Sequence, residues 1–194
     1  MTTKITLPVS EEEIRALKAG DEVSITGVMI TGRDAAHKYL VDTDGPEVRE
    51  ILKDSMIYHC GPVVKQDDDG TWEFVAAGPT TSIRDEPYEA DVIEKYQVRG
   101  VIGKGGMGQR TQAACDKFGC VYLTAIGGLA TILARSVVEV PDVHKLDEFG
   151  APEAMWVIKV EDFPAIVTMD SHGRSIHDEI EEQSRANYEK LLGK

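Results

Sequence analysis

Three cations and two adjacent threonines are the residues of this sequence whose types and spacing could do chemistry together. Arg33, Arg84 and Lys104 each stand in a short loop, and Thr80 and Thr81 come just before Arg84. An arginine fork matches a carboxylate through two parallel hydrogen bonds, and a lysine adds a mobile point charge. Because like charges repel in a small space unless an anion lies between them, the set predicts a pocket for a small di-acid.

Four loops carry nearly all of these residues, and we call them the site loops: 31–34, 78–84, 103–106 and 125–128. Each follows a predicted strand. In α/β sheets, ligands bind beyond the carboxyl ends of the strands, so these loops are expected to converge. Glycines in the third loop, among them Gly105, would let main-chain N–H groups approach a ligand because no Cβ stands in the way.

Each of these residues has an ordinary interpretation when it is considered alone. A cation at the end of a strand is usually a solvated surface charge. A threonine before a helix is more often an N-cap than a catalytic group, and a glycine after a strand is usually part of a turn. Only the combination of the four loops therefore predicts a binding site.

A second pattern, Gly103-x-Gly105-x-x-Gly108, matches the GxGxxG loop of dinucleotide-binding proteins. It lies between a predicted strand and a predicted helix, as that loop requires. The acidic residue expected about 20 residues further on is missing. A dinucleotide-binding enzyme therefore stays open as a less favoured alternative.

The charge of the chain restricts its partners. The 194 residues include 34 acidic and 21 basic side chains, a formal net charge of −13. This balance argues against nucleic acid and against an anionic membrane surface, but a local cluster of cations could still bind a small anion. The sequence has no stretch of about 18 apolar residues and no apolar signal segment. We expect a cytoplasmic protein with one domain, residues 1–194.

The three cysteines do not predict a metal site in this chain. Cys60, Cys115 and Cys120 include no CxxC pair, and their spacing is not that of zinc ligands. Reduced, buried thiols are the expected interpretation.

The order of predicted elements indicates an α/β domain with mixed sheets and a helical layer. The last helix has few apolar residues, so it should pack loosely or dock on a partner. Strands are predicted at 5–9, 23–31, 56–63, 71–77, 101–102, 120–126, 136–140, 155–160 and 165–169. Helices are predicted at 11–18, 33–41, 46–53, 86–97, 107–118, 129–134 and 175–192. A capping box at Ser10 and Glu13, a bulge at Gly27 and a hairpin of the third and fourth strands are also expected.

Six segments, taken together and in order over nearly the whole chain, resemble the β subunit of class I fumarases and tartrate dehydratases. They are GRDAAHK at 32–38, IYHCGPV at 57–63, GPTTSIRDEPY at 78–88, GVIGKGGMG at 100–108, FGCVYLTAIGGLATILA at 118–134 and PEAMWVIKVEDFPAIVTMDSHG at 152–173.

The resemblance implies a swivelling β/β/α domain, similar to the mobile domain of aconitase. It also implies a partner, because the α portion of this family carries a [4Fe–4S] cluster on three cysteines, with one iron open as a Lewis acid. We therefore expect the cluster on a separate α subunit, an α2β2 assembly, and activity only when the two subunits are together.

The resemblance also implies roles for the site residues. Thr80 matches the family's proposed general base, and Thr81 lies beside the substrate carboxylate. Arg33, Arg84 and Lys104 match cations that clamp the two carboxylates, and Lys104 also counts among the catalytic residues. His37 is read first as an ordinary helical histidine and secondarily as a site residue.

The implied function is that of a hydro-lyase subunit of the tricarboxylic acid cycle, converting fumarate and water to (S)-malate and back. The same chemistry on L-tartrate or mesaconate is an alternative, because a clamp for shared carboxylates does not distinguish the carbons between them. A non-catalytic carboxylate-binding module is the alternative from another class.

Overall fold

The computed structural model describes residues 2–193 of the chain. Its strands are β1 Thr3–Thr6, β2 Glu22–Thr31, β3 Met56–Tyr58, β4 Val63–Gln66, β5 Trp72–Ala76, β6 Gly100–Gly103, β7 Val121–Thr124, β8 Val137–His144 and β9 Met155–Met169. Its helices are α1 Glu11–Ala16, α2 Asp34–Asp42, α3 Pro46–Leu52, α4 Glu86–Tyr96, α5 Gln109–Phe118, α6 Ala130–Arg135, α7 Leu146–Phe149 and α8 Ile176–Leu191, with a 3₁₀ turn at Ser82–Asp85.

The main sheet has the order β1-β2-β3-β6-β7-β9-β8. The first five of these strands run parallel to one another, and β9 runs antiparallel to β2, β7 and β8. Because β9 pairs with both β2 and β7, the strands β2, β3, β6, β7 and β9 form a closed ring. The carboxyl ends of the parallel strands β2, β6 and β7 lie at one edge, where the site loops 31–34, 103–106 and 125–128 begin. The remaining site loop, 78–84, follows β5 of the separate two-stranded sheet, so the expectation that all four loops follow strands of one sheet was wrong for it.

Two hydrophobic cores lie on the two faces of this sheet. Met29 and Met56 belong to one core, while their neighbours Ile30 and Ile57 belong to the other, as the two-residue alternation of a strand requires. The second core is completed by buried residues of α2, α3, α4 and α5, which form the helical layer. The predicted α/β class with mixed sheets and a helical layer is confirmed.

Two local predictions are confirmed in detail. Ser10 and Glu13 form the capping box of α1, with the Ser10 hydroxyl accepting from the Glu13 N–H at 3.2 Å. At Gly27 the register of β2 against β9 shifts, φ is +133°, and a Cβ would lie 2.7 Å from the Leu7 carbonyl oxygen. A glycine is required there because the chain takes a conformation and a close approach that other residues resist.

Several strand predictions were wrong in extent, among them 136–140, because β8 continues to His144 in its pairing with β9. The first strand is 3–6 rather than 5–9. The predicted strand 56–63 splits at Gly61-Pro62, so that β3 joins the parallel sheet and only β4 pairs with β5; proline offers no N–H to continue a ladder. The predicted strands 155–160 and 165–169 are one strand, β9, because pairing with β2 continues on both sides of Asp162.

The final helix and the cysteines agree with expectation. Helix α8 begins after the capping residue Ser175, and none of its side chains is buried. Cys60, Cys115 and Cys120 are free, buried thiols. Within residues 2–193, no helix is both long and apolar enough to cross a membrane.

Candidate active site

The second and third site loops are joined through their main chains. The Lys104 N–H donates to the Thr80 carbonyl at 3.2 Å, and the Ser82 N–H donates to the Lys104 carbonyl at 3.1 Å. Thr81 and Lys104 consequently face each other as in a parallel ladder. This pairing holds Thr80, half-buried, and Thr81, exposed, beside Lys104 and Gly105.

The end of β3 fixes the same segment from the other side. The Thr80 N–H donates to the His59 carbonyl at 2.7 Å, and Cys60 and Pro79 form an isolated antiparallel bridge. The 78–84 loop therefore has backbone partners on both sides, from β3 and from the end of β6. Such double support restricts the position of Thr80.

The two arginines lie on neighbouring loops, and each already has an acidic partner. Arg84 pairs with Asp34, the residue that follows Arg33. The Arg33 Nη1 lies 3.1 Å from a Glu153 carboxylate oxygen. A Cβ on Gly61 would lie 2.6 Å from Arg33 Nη1, so the glycine makes room for the guanidinium. A di-acid bound by these arginines would have to share them with, or displace, the two carboxylates.

Lys104 differs from the arginines in its surroundings. Its half-buried side chain passes the fourth site loop, where a Cβ on Gly127 would lie 3.4 Å from Lys104 Cδ. Among residues 2–193, no carboxylate oxygen lies within 4.0 Å of its ammonium group. Of the three cations, Lys104 is thus the one whose charge is not compensated within the described chain. Gly105 beside it has a φ of +83°, a value that favours glycine.

Beneath these loops lies a buried charge cluster made of His37, His59, Asp85 and Glu89. The same Glu89 oxygen, Oε2, lies 2.9 Å from His59 Nε2 and 3.0 Å from His37 Nε2. The contact with His59 is a hydrogen bond, whereas the angle at His37 makes that contact an ion pair. Asp85 lies further off, at 3.8 Å from His37 Nδ1 and 3.7 Å from His59 Nδ1.

The contacts of His37 favour its cationic form. Its Nδ1–H donates to the Arg33 carbonyl at 2.9 Å, so Nε2 can carry a proton toward Glu89 only if both nitrogens are protonated. Burial alone would lower the pKa of His37, but the charge and contact of Glu89, together with the charge of Asp85, raise it to about 9. Burial likewise favours protonation of Glu89, yet His37 and His59 lower its pKa to about 2.

Asp85 responds differently. Burial raises the pKa of this carboxyl group, and the charge of His37 opposes the rise without cancelling it. His37, His59 and Asp85 offer atoms that lie within 4.8 Å of one another, a spacing compatible with a metal ion. The ring nitrogens of both histidines already face protein atoms, so we interpret the set as an internal charge network.

Comparison with known proteins identifies the fold family. The model of the family described as Fumarase C-terminus matches residues 1–180. The chain belongs to this family.

Three similar proteins are named as hydratases or dehydratases. A protein of Geobacillus stearothermophilus named "Putative fumarate hydratase class I" is 55% identical over 177 residues, which cover 91% of this chain and 34% of the relative. The chain therefore spans about a third of that protein's length. A "Putative L(+)-tartrate dehydratase subunit beta" of Methanocaldococcus jannaschii is 38% identical over 95% of this chain and 96% of the relative. The L(+)-tartrate dehydratase subunit beta of Escherichia coli K12 is 38% identical over 89% and 85%.

The sequence alone did not predict most of the buried charge cluster. His37 was interpreted first as an ordinary helical residue, and His59, Asp85 and Glu89 were not singled out. One signal was present in α4, because Glu89 precedes Val92, Ile93 and Tyr96 by three, four and seven residues, which places a carboxylate on the buried face. A buried carboxylate needs a cationic or hydrogen-bonding partner.

Proposed function

We propose that this chain is the β portion of a [4Fe–4S] hydro-lyase that interconverts fumarate plus water and (S)-malate. The family and the hydro-lyase names of the relatives support the reaction class. The observation that carries the proposal is the pairing of Thr81 with Lys104, because it sets a hydroxyl-bearing segment beside an ammonium group that no carboxylate of residues 2–193 compensates.

Lys104 is proposed as the principal anchor of one substrate carboxylate. An uncompensated ammonium group in a half-buried position attracts an anion more strongly than a solvated one does. Arg33 and Arg84 are proposed to take the remaining carboxylate oxygens, with Glu153 and Asp34 keeping the guanidinium groups in place when substrate is absent. Thr81 and the main chain at Gly105 would complete the contacts.

Thr80 is proposed to accept the proton from the carbon next to a substrate carboxylate. A neutral hydroxyl group is too weak a base for this step, so Thr80 would act as an alkoxide whose oxygen takes the proton from the carbon and becomes a hydroxyl group, while the C–H electron pair stays on the substrate. Nearby cations are needed to stabilise both the alkoxide and the negative charge that develops on the carboxylate. Lys104 supplies one such charge at the surface. The His37 imidazolium is proposed to supply another, held next to the 31–34 loop by the hydrogen bond from its Nδ1 to the Arg33 carbonyl.

The cysteines of this chain do not fit an iron–sulfur cluster. All three are buried, and burial raises the pKa of Cys60 to about 12 and that of Cys120 well above its usual range. A cluster ligand must be a thiolate, which such surroundings disfavour. We therefore propose that a cluster-bearing α subunit holds the [4Fe–4S] group, in an α2β2 assembly.

L-tartrate is the second candidate substrate. It is favoured by the relatives named as tartrate dehydratase β subunits, which match this chain over most of their own length. Fumarate is favoured by the higher identity of the Geobacillus relative. A clamp for the carboxylates that both acids share would not distinguish them, so selection would depend on the groups that surround the two central carbons, including those of the α subunit.

The test is anaerobic co-production of this chain with a cluster-bearing α subunit, followed by assays with fumarate, (S)-malate, L-tartrate and mesaconate. We expect turnover only when both polypeptides are present. Turnover by the α subunit alone, or no turnover of any of the four acids by the pair, would contradict the proposal. Binding of a dicarboxylate without turnover would favour a non-catalytic module, and binding of NAD would favour the dinucleotide alternative.

A further inference from the structure

A directed chain of hydrogen bonds runs through the interior behind Thr80. The Tyr122 hydroxyl donates to Ser82 Oγ at 2.9 Å, and Ser82 Oγ lies 2.8 Å from His59 Nδ1. His59 Nε2 lies 2.9 Å from Glu89 Oε2. Because an ionised carboxylate can only accept, His59 carries a proton on Nε2. The Ser82 oxygen already accepts from Tyr122 and has its own proton to donate, so we assign His59 as the neutral tautomer whose Nδ1 accepts from Ser82.

This Ser–His–Glu order resembles that of a nucleophilic triad, but the serine cannot act as a nucleophile. Ser82, His59 and Glu89 have no exposed surface, and Tyr122 occupies the far side of the serine oxygen. A nucleophile must reach the substrate. The hydrogen bonds that link Ser82, His59 and Glu89 must therefore have a role other than nucleophilic attack.

His59 contacts the segment that carries Thr80 at two points. Its carbonyl accepts the Thr80 N–H at 2.7 Å, and its ring accepts the hydroxyl of Ser82, two residues further on. The peptide of Ser82 in turn donates to the Lys104 carbonyl. One residue therefore fixes both ends of the 80–82 segment, and the segment fixes Lys104.

The space around this chain leaves little freedom. A Cβ on Gly103 would lie 1.9 Å from Ser82 Oγ, 3.1 Å from the Tyr122 hydroxyl and 3.3 Å from His59 Nδ1. The serine hydroxyl is thus enclosed by β6, β7 and β3 and has no room for another rotamer in that direction. A tightly enclosed and fully bonded polar group specifies one geometry.

We propose that Ser82, His59 and Glu89 form a buried positioning network that sets the orientation of Thr80 and Thr81 for catalysis, with His59 as its central member. Glu89 selects the tautomer of His59, the tautomer requires Ser82 to donate, and the bond to Ser82 fixes the rotation of the segment. The reacting hydroxyl is thereby held in place by residues that never touch the substrate. This inference rests on the proposed function, since it assigns Thr80 to the reaction.

The test compares two buried hydroxyls: that of Ser82, which bonds to His59 just after β3, and that of Ser55, just before β3. Ser82→Ala removes the hydroxyl behind the site, while Ser55→Ala removes one that donates to the Val28 carbonyl at 2.6 Å before the strand begins. Both variants should lose similar thermal stability. With the α subunit, Ser82→Ala should lower kcat about 10- to 100-fold with KM near the wild-type value, because small misplacements of a reacting group are costly. Ser55→Ala should keep wild-type kcat.

A second measurement uses the full chain without its partner and does not depend on turnover. Nitrogen-15 NMR of the His59 ring should show a proton on Nε2 and none on Nδ1. A proton on Nδ1, or equal kcat in the Ser82→Ala and Ser55→Ala enzymes, would overturn the positioning network. If Ser82→Ala does not fold, Tyr122→Phe is judged by the same kcat criterion. Failure of the wild-type pair to turn over any dicarboxylate would instead overturn the proposed function.

Discussion

His37 and Glu89 face each other in the protein interior, with Nε2 3.0 Å from Oε2 and neither side chain exposed. The pair lies between α2, which begins directly after Arg33, and α4, which follows the turn that carries Arg84. A charged contact therefore joins the two helices that follow the site cations Arg33 and Arg84. Such a pair is costly to desolvate, and it is strongly destabilising to remove only one of its members.

The dependence of stability on pH should report this pair. The pKa of folded His37 is about 9, above its ordinary value of 6.5, so its contribution is fully present below 6.5 and is lost as the pH rises through 9. The pKa of Glu89 is about 2, below 4.5, so its contribution is present above 4.5 and is lost as the pH falls through 2. The pair should stabilise most between pH 4.5 and 6.5.

Urea unfolding at about pH 6 and about pH 9.5 measures the alkaline part of this dependence. The wild-type free energy of unfolding should decrease between the two, and the decrease should be smaller in His37→Gln. The exposed His172 provides the control variant, His172→Gln. Equal slopes in wild type and His37→Gln would show that His37 is not held as a cation.

Removing the Glu89 carboxylate should destabilise the fold strongly. We expect Glu89→Ala to lower the free energy of unfolding by about 3–5 kcal/mol, since it leaves the His37 charge buried without its nearest partner. Glu94→Ala, on the exposed side of the same helix, should change it by less than about 0.5 kcal/mol. Denaturant unfolding of the chain at neutral pH compares the two, and equal losses would contradict a buried ion pair at Glu89.

Gly103 should tolerate no side chain. A Cβ there would lie 1.9 Å from Ser82 Oγ, so Gly103→Ala forces the positioning network apart and should cost about 1–3 kcal/mol or more. Gly128→Ala is the matched control, because a Cβ at Gly128 would have no atom within 4 Å. Thermal denaturation compares the stability of the two variants. A Gly103→Ala protein as stable as Gly128→Ala would contradict the close contact between Gly103 and Ser82.

Thr80→Val separates a proton-transfer role from a binding role. Valine keeps the shape of threonine but has no hydroxyl, so it should lower kcat much more than it changes KM if Thr80 accepts a proton. Steady-state kinetics of the pair of subunits gives both parameters. A variant with normal kcat and raised KM would make Thr80 a positioning residue only.

Much of the fold follows from local sequence patterns. The capping box at Ser10, the glycine end of α5 at Gly119 and the alternating pattern of β2 each depend on near neighbours, and each was predictable. That β9 is one continuous strand was not predictable, because Asp162 and Pro164 interrupt its alternating pattern. Only the pairing with β2 shows that the strand continues. Long-range pairing decides such boundaries, and a single sequence does not display it.

The site was predictable only in part for the same reason. The cations and threonines are conspicuous as residue types after strands, and the ends of the parallel strands β2 and β6 bring the loops of Arg33 and Lys104 to one edge. The 78–84 loop follows β5 of the other sheet and joins them through main-chain bonds to His59 and Lys104, which the sequence does not show. The partners of Arg33 and Arg84 were not foreseen, since Glu153 and Asp34 are ordinary surface acids in the sequence. The four members of the buried cluster come from separate elements, so their association appears only in three dimensions.

The most direct test of the account is the effect of Lys104→Met on kcat/KM of the chain combined with a cluster-bearing α subunit. Lys65→Met is the control, since Lys65 is an exposed lysine of the β4–β5 hairpin that pairs with Glu73 at 2.6 Å. Loss of a cation aimed at a developing charge costs about 100-fold or more, so Lys104→Met should lose at least that factor while Lys65→Met keeps wild-type turnover. Equal kcat/KM in the two variants would show that the dicarboxylate does not bind at Lys104.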